Sequence, residues 1–413
     1  MKIKSIEATN FRSFEKIDVH LSDFNIILGA NSSGKSNFIQ LFRFLLDWHH
    51  FDLDTAVALQ GGAEYFKNFN CSKNEKIMIR CEFLFGDQEY RLRPFFFPLE
   101  NKSPKIVVSG AIFKATLGFP TSTRCDAFTQ ELELEFKIVD DGTIGKVTFV
   151  QSGNKISALA NLDQRFLHIN EAILKAFKYP DPESSKTFLV NSWAIWSILR
   201  TRMNLNFGLF DFDVKLPKKA SQITGKNELE EDGHNLAVVL RAIARDPIKK
   251  KQFLRILGDI LPFYSDVKTE SLTDKTFLFQ LRENFQKRPY IPSTFLSDGT
   301  INIVLTIVAL FFERHHALFF EEPERNIHPH LIKKIVDLMQ ERSSTKQIFV
   351  STHNPIFVKA SRLEDLLIIS RDRVKGVSKI SKPSESIEVK RFLSHDLGVD
   401  DLFIQNLLEE SQE

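Results

Sequence analysis

The alternation of apolar and polar residues opens with two strands, Ile3 to Thr9 and Ile17 to Leu21, joined by Asn10-Phe11-Arg12-Ser13-Phe14. The apolar run Phe24-Asn25-Ile26-Ile27-Leu28 reads as a buried strand, and from Asn37 to Leu46 the residues Phe38, Leu41, Phe42 and Leu45 recur at helical spacing. Period-two patterns follow at Lys76 to Phe85, Glu89 to Phe97, Glu131 to Val139 and Lys146 to Gln151, the last two turning on Asp140-Asp141-Gly142-Thr143. Together they predict an antiparallel β layer. From about Leu162 the pattern becomes helical, with Trp193 to Arg202, Asn235 to Ala244 and Ile248 to Leu261. No apolar seam of period 3.5 is sustained there, and Pro180, Pro182, Gly208, Pro217, Gly225 and Gly233 interrupt it, so a compact helical lobe is expected rather than a coiled-coil arm, with Lys215 to Glu231 a mobile loop. The last third alternates helix Thr300 to Arg314, strand Ala317 to Phe320, helix Pro329 to Arg342, strand Gln347 to Val350 and strand Leu366 to Ser370, a parallel-sheet half. A tail from Lys382 carries one short apolar helix, Asp401 to Leu408.

Composition narrows this little. At 413 residues and 43% hydrophobic content the chain buries a substantial core, and a formal net charge of +2 gives no argument for a nucleic-acid face. The basic runs Lys249-Lys250-Lys251 and Arg371 to Lys375 read as solvated faces, with DNA kept as a candidate partner. The N-terminus is a charged alternating strand, and the longest apolar run, Ile301 to Phe312, is short and contains Asn302 and Thr306, so no membrane segment is expected and the reading is cytoplasmic. Cys71, Cys81 and Cys125 form no C-x-x-C pair, which fits a reducing compartment. The paired histidines (His49-His50, His315-His316) and His328-Pro329-His330 lack the spacing of metal ligands.

The candidate chemistry begins with Gly29-Ala30-Asn31-Ser32-Ser33-Gly34-Lys35-Ser36, a complete G-x-x-x-x-G-K-S phosphate loop between a predicted strand and a predicted helix. Its glycines let the backbone curl so that successive N–H groups face a phosphate, and the following helix presents its positive end. Lys35 is expected on the β- and γ-phosphates of ATP, and the Ser36 hydroxyl on Mg²⁺. Ala317-Leu318-Phe319-Phe320 delivers Glu321 and Glu322 at a strand end, one carboxylate for the metal and one for the attacking water. A further strand ends in Ser351-Thr352-His353, where a histidine can donate to the γ-phosphate. In Leu296-Ser297-Asp298-Gly299-Thr300, Ser297 or Asp298 locally reads as a helix N-cap, while a Ser-x-Gly turn also offers a hydroxyl and N–H groups to an anion.

These four pieces resemble the Walker A, signature, Walker B and switch-histidine motifs of ABC-type ATPases. Asn10 to Phe14, Ser-Asp-Gly-Thr and Glu-Glu-Pro-Glu-x-x-Ile-His-Pro (Glu321 to Pro329) are similar to the RecF and OLD-like branch, including stand-alone AAA-family ATPases of phage-defence type. The resemblance covers roughly residues 1 to 95 and 290 to 375. It implies an α/β ABC-ATPase head with an inserted helical lobe, and a head-to-tail dimer in which Ser297 and Gly299 complete the partner copy's ATP site. It also implies nucleotide contacts from Gly29, Asn31, Ser32, Ser33, Gly34, Lys35, Ser36, Asn37 and Arg12, metal contacts from Ser36, Glu321 and Gln60, and catalytic roles for Glu322, His353 and Lys35. Glu321 stands where the first Walker B residue is usually Asp, and its extra methylene is expected to slow hydrolysis, which suits a switch. The expected organisation is a first half of the head (residues 1–95), a β-rich extension (96–160), a helical insertion (161–290), a second half of the head (291–376) and a tail (377–413). OLD proteins continue into a nuclease domain for which there is no room after Gly376, so an effector, a nuclease or a toxin, is expected to act in trans. The resulting reading is a nucleotide-gated sensor or scaffold in anti-phage defence; a RecF-like DNA clamp is the alternative, and a transporter ATPase subunit a more distant one.

Overall fold

The computed structural model describes residues 1–72, 75–85, 89–91, 105–119, 127–138, 144–152, 155–161, 205–222, 226, 228–273, 275–285 and 290–385. In chain order the first elements are β1 (Lys2–Phe11), β2 (Phe14–His20), β3 (Phe24–Leu28), α1 (Lys35–His50), α2 (Leu53–Leu59) and α3 (Ala63–Phe66). Strands β4 (Ile77–Leu84), β5 (Glu89–Arg91), β6 (Lys105–Gly118), β7 (Ala127–Ile138), β8 (Ile144–Ser152) and β9 (Lys155–Asn161) follow. Next come β10 (Phe207–Phe210), β11 (Ser221–Gln222), α4 (Leu236–Arg245), α5 (Pro247–Ile260), β12 (Tyr264–Thr273), β13 (Thr276–Glu283) and β14 (Ile291–Pro292). The chain continues through α6 (Asp298–Phe311), β15 (Ala317–Glu321), α7 (Pro329–Ser343), β16 (Gln347–Thr352), α8 (Pro355–Lys359), β17 (Leu366–Arg371) and β18 (Ser378–Ser381). The fold is mixed α/β, as expected. The expected helices Trp193 to Arg202 and Asp401 to Leu408 lie outside the described residues.

Two units divide the chain. The first holds Met1–Leu21, Asn31–Leu205 and Ile369–Ser381. Its strands β2, β1, β4, β6, β7, β8 and β9 pair antiparallel in that order, with β5 also on β6 and β18 parallel to β2. This is the β layer that the alternation predicts. Helix α1 places Phe38, Leu41, Phe42, Leu45 and Trp48 on one buried face because they recur at three- and four-residue spacing. Trp48 meets Phe113 of β6 edge-on at 5.9 Å, and Phe44 meets Phe66 at 4.5 Å. Burying each such ring contributes about 1.5–3 kcal/mol.

The second unit holds Ser22–Ala30, Asn206–Ile368 and Lys382–Glu413. Its sheet runs β10-β15-β16-β3-β17, all parallel. Five consecutive buried residues in β3 are what a strand covered on both faces requires. The long apolar run is α6, buried from Thr300 to Leu310, and among the described residues no helix is long and apolar enough to cross a membrane. The two expected helices are present as α4 and α5, and an antiparallel β12–β13 hairpin follows them, carrying β11 and β14 on β13. Residues 215–231, expected as a mobile loop, are turns, bends and irregular backbone apart from β11 among those described. Gly208, expected as a break, lies inside strand β10. A Cβ there would lie 2.6 Å from His315 Cδ2 and 2.8 Å from Phe210 Cε2, so the glycine serves close packing inside a buried strand.

A buried polar cluster surrounds the entry to β15 and β16. Lys346 Nζ donates to the Glu313 carbonyl at 2.5 Å, the Leu229 N–H donates to Glu313 Oε1 at 2.9 Å, and His315 Nδ1 lies 2.5 Å from Asn206 Oδ1. Burial, helped by the charge of Lys346 and by His316, pulls the His315 pKa down to about 4 from its ordinary 6.5. Above pH 6.5 the imidazole is neutral folded and unfolded. Between pH 6.5 and 4 the unfolded chain takes up a proton that the folded chain refuses, so stability falls with pH. Glu313, raised by burial, contributes the opposite slope. Thermal melts from pH 7 to 4 are therefore expected to show a shallower loss in His315→Gln than in the wild type.

Candidate functional site

In the first unit, the loop Asn31 to Gly34 enters α1 with Ser32 at φ 64° and Gly34 at φ 119°. Both lie in the left-handed region, and alternating such residues turns successive N–H groups to one side. Gly34 is the N-cap of α1 and provides no side-chain hydrogen bond to the first turn, which has no acidic residue either. The Ser33 hydroxyl is buried with no hydrogen-bond partner among the described residues. This is a donor-rich cradle, and it fits a phosphate chain. Its outer side is braced by groups outside the motif. Ser378 Oγ donates to the Ser33 carbonyl at 2.5 Å and accepts from the Ser13 hydroxyl at 2.8 Å, Asn37 Nδ2 donates to Ser13 Oγ at 2.8 Å, and Arg371 Nη1 donates to the Ser32 carbonyl at 3.2 Å. Ser378 and Arg371 carry no sequence signal of this role; Arg371 begins the basic run expected as a solvated face.

Arg12, at φ 48°, donates from Nη2 to the Gln60 carbonyl at 3.1 Å and to Gln60 Oε1 at 2.9 Å. Gln60 in turn donates from Nε2 to Asp47 Oδ2 at 3.0 Å and is 4% exposed. Both ends of its amide are engaged within the protein, where Gln60 braces Arg12.

In the second unit, the parallel register brings several candidates to one edge. Phe210 is opposite Phe320, Glu321 opposite Ser351, and Thr352 opposite Leu28. Asp211, Glu322, His353 and Gly29 therefore follow directly from the C-terminal ends of four consecutive strands, where open α/β sheets hold their ligands. Glu322 sits at φ 43°, with its N–H donating to the Ser351 carbonyl at 2.8 Å. Its Oε1 lies 3.0 Å from His353 Nδ1, and its Oε2 accepts from Arg325 Nε at 2.8 Å. Partial burial works to raise the Glu322 pKa, but the Arg325 hydrogen bond and charge, with His353, outweigh it and leave the carboxyl below its ordinary value. Glu324 is the opposite case. Burial holds its pKa up, against a hydrogen bond from the Thr352 hydroxyl to Oε1, and Glu322 adds to the rise.

The turn from Ser297 to Thr300 packs on the turn that follows β15. Ser297 caps α6 by accepting from the Thr300 N–H at 3.2 Å, so its local reading as an N-cap holds, and Asp298 pairs with Lys218. A Cβ on Gly299 would lie 2.6 Å from the Asn326 carbonyl, which only glycine tolerates. One turn along α6, Asn302 is 2% exposed and donates from Nδ2 to the carbonyls of Pro323 at 2.9 Å and Arg325 at 2.7 Å. Asn302→Ala is expected to leave these two acceptors unpaired and to lower unfolding stability in urea by about 1–3 kcal/mol.

A segment of 47 residues is 49% identical to a protein named Endonuclease GajA, from Bacillus cereus (strain VD045); it spans 11% of this chain and 8% of that protein's length. Among solved structures, the chain matches an SMC head bound to the C-winged helix domain of ScpA, with a TM-score of 0.52 and 17% identity over 92% of this chain and 98% of that one. An SMC head with an extended coiled coil, bound to a ScpA C-terminal domain derived from Pyrococcus furiosus, matches at a TM-score of 0.49 and 13% identity over 95% and 98%. The fold is thus that of an ABC-type ATPase head, as the motifs implied. The profile of the AAA ATPase domain family matches residues 1–358, and the chain belongs to that family.

Proposed function

We propose that the chain is a Mg²⁺-dependent ATPase, producing ADP and phosphate, in which bound ATP pairs two copies head to tail. The observation that carries this reading is the alignment of Glu321-Glu322, Thr352-His353 and the entry to the phosphate loop at one end of adjacent parallel strands. In this reading the N–H groups of Asn31 to Gly34 and the Lys35 ammonium hold the β- and γ-phosphates, with Asn37 supporting the loop and Arg12 beside the nucleotide. Ser36 and Glu321 are the ligands assigned to Mg²⁺, whose charge, when it is bound, offsets the negative charge developing on the phosphate oxygens. Glu322 orients the attacking water and takes one of its protons as the water oxygen bonds to the γ-phosphorus and the β–γ bridging bond breaks. His353 holds Glu322 through Nδ1 and is assigned the γ-phosphate through its other ring nitrogen. Ser297 and Gly299 act on the ATP of the second copy.

At the level of biology, we read the chain as a nucleotide-gated switch that controls a separate effector in anti-phage defence. The OLD-like motifs and the short, close match to a protein named as an endonuclease support this reading. The test is to purify the chain with its neighbouring gene products, with and without Mg-ATP, while recording released phosphate. Nucleotide-dependent retention of a nuclease or toxin is the expected result. Strong, salt-dependent DNA affinity with no such partner would point instead to a DNA clamp.

A further inference from the structure

We propose that Asp211 and Arg325 form a positioning pair that orients Glu322, so that the end of β10 is part of the active site; this rests on the base assignment made above. A glutamate side chain has three rotatable bonds, and a base must hold its aim to within a fraction of an ångström. The backbone at φ 43° sets only where the side chain starts. Arg325, three residues further along the same turn, reaches back with Nε to Glu322 Oε2 at 2.8 Å and forward with Nη1 to Asp211 Oδ1 at 2.9 Å. Because the guanidinium is planar and rigid, two bonds from different nitrogens fix its plane, and through it the carboxylate oxygen.

Both ends of this link are anchored. Asp211 directly follows β10, and its own N–H donates to the Glu231 carbonyl at 3.1 Å. The Arg325 carbonyl accepts from buried Asn302. His353, from the end of β16, meets the other oxygen of Glu322. The order Asp211, Arg325, Glu322, His353 thus joins the ends of three adjacent strands, with a base held by an orienting group that is itself held by a third. The Asp211 and Arg325 side chains are 48% and 47% exposed, and an ion pair that open to water adds little to folding stability. Kinetic and stability effects are therefore separable.

The test uses the full chain and compares Arg325→Ala, Asp211→Asn and the double variant for kcat, KM for ATP and melting temperature. Arg325→Ala is expected to lower kcat by about tenfold or more with KM within about twofold. Asp211→Asn is expected to act in the same direction and more weakly, and the double variant to be no slower than Arg325→Ala, because both changes break one chain. An unchanged kcat in Arg325→Ala, or losses that multiply in the double variant, overturns the proposal. Glu322→Gln run alongside separates the two levels. Hydrolysis surviving in it overturns the base assignment and this inference together, whereas an inactive Glu322→Gln beside an unaffected Arg325→Ala overturns this inference alone.

Discussion

Exchanging Glu322 for Gln is expected to lower phosphate release by about 10²–10⁴-fold while ATP affinity stays within a few-fold. Gln keeps the length and shape of the side chain, so the turn after β15, held by the Ser351 carbonyl and by Asn302, has no reason to rearrange. Its Oε1 still accepts from Arg325, and its amide nitrogen faces His353 Nδ1, which accepts in the other neutral tautomer. What is lost is the ability to take a proton from water. Phosphate release and equilibrium nucleotide binding, measured on the same preparation, separate that loss from a collapse of the site. A matching loss in both would mean that Glu322 supports the fold rather than the chemistry.

The second large effect is expected at Gly34. Its φ of 119° is one that L side chains rarely adopt, and a Cβ built on it would lie 2.5 Å from Ser378 Oγ and 3.0 Å from Ser13 Oγ. Those hydroxyls hold the Ser33 carbonyl and the Asn37 amide, so Gly34→Ala must both strain the backbone, at about 1–3 kcal/mol, and displace the braces of the loop. ATP affinity is expected to fall by about 100-fold or more, since in the proposed reading the phosphates bind to the N–H groups that the loop orients. Titration with a fluorescent ATP analogue checks this, with far-UV circular dichroism verifying that the chain remains folded. Near-native affinity would show that the loop's curl does not govern binding.

What could be read in the sequence depended on how local the physics was. The phosphate loop, α1 and the runs that become β3, β15 and β16 are legible because each is set by its own residues: fully apolar strands, a helical stripe, and glycine where the backbone must turn left-handed. Ser297 was legible as a cap for the same reason. Missed were the parts fixed by distant partners. Strand β12, Tyr-Ser-Asp-Val-Lys-Thr-Glu-Ser-Leu-Thr, buries only Val267 fully, so almost no alternation marks it. Ser378 and Arg371 brace the phosphate loop from more than 300 positions away. Asn302 was noticed only as a polar residue in an apolar run, and its partners are backbone carbonyls, which any sequence provides. Arg325 occupies a variable position of the Glu-Pro-Glu motif, and nothing short of the fold brings Asp211 to it. The link from Arg12 through Gln60 to Asp47 is likewise set by the fold and not by any local pattern.

The claim at the centre of this account is that ATP, held at this edge, pairs two copies and that hydrolysis releases them. The most direct test is the mass in solution of the wild type and of Glu322→Gln, by light scattering, with and without Mg-ATP. The account predicts that Mg-ATP drives Glu322→Gln into a stable larger species while the wild type returns to the smaller one as phosphate accumulates. A mass that is the same for both proteins and indifferent to nucleotide would contradict it.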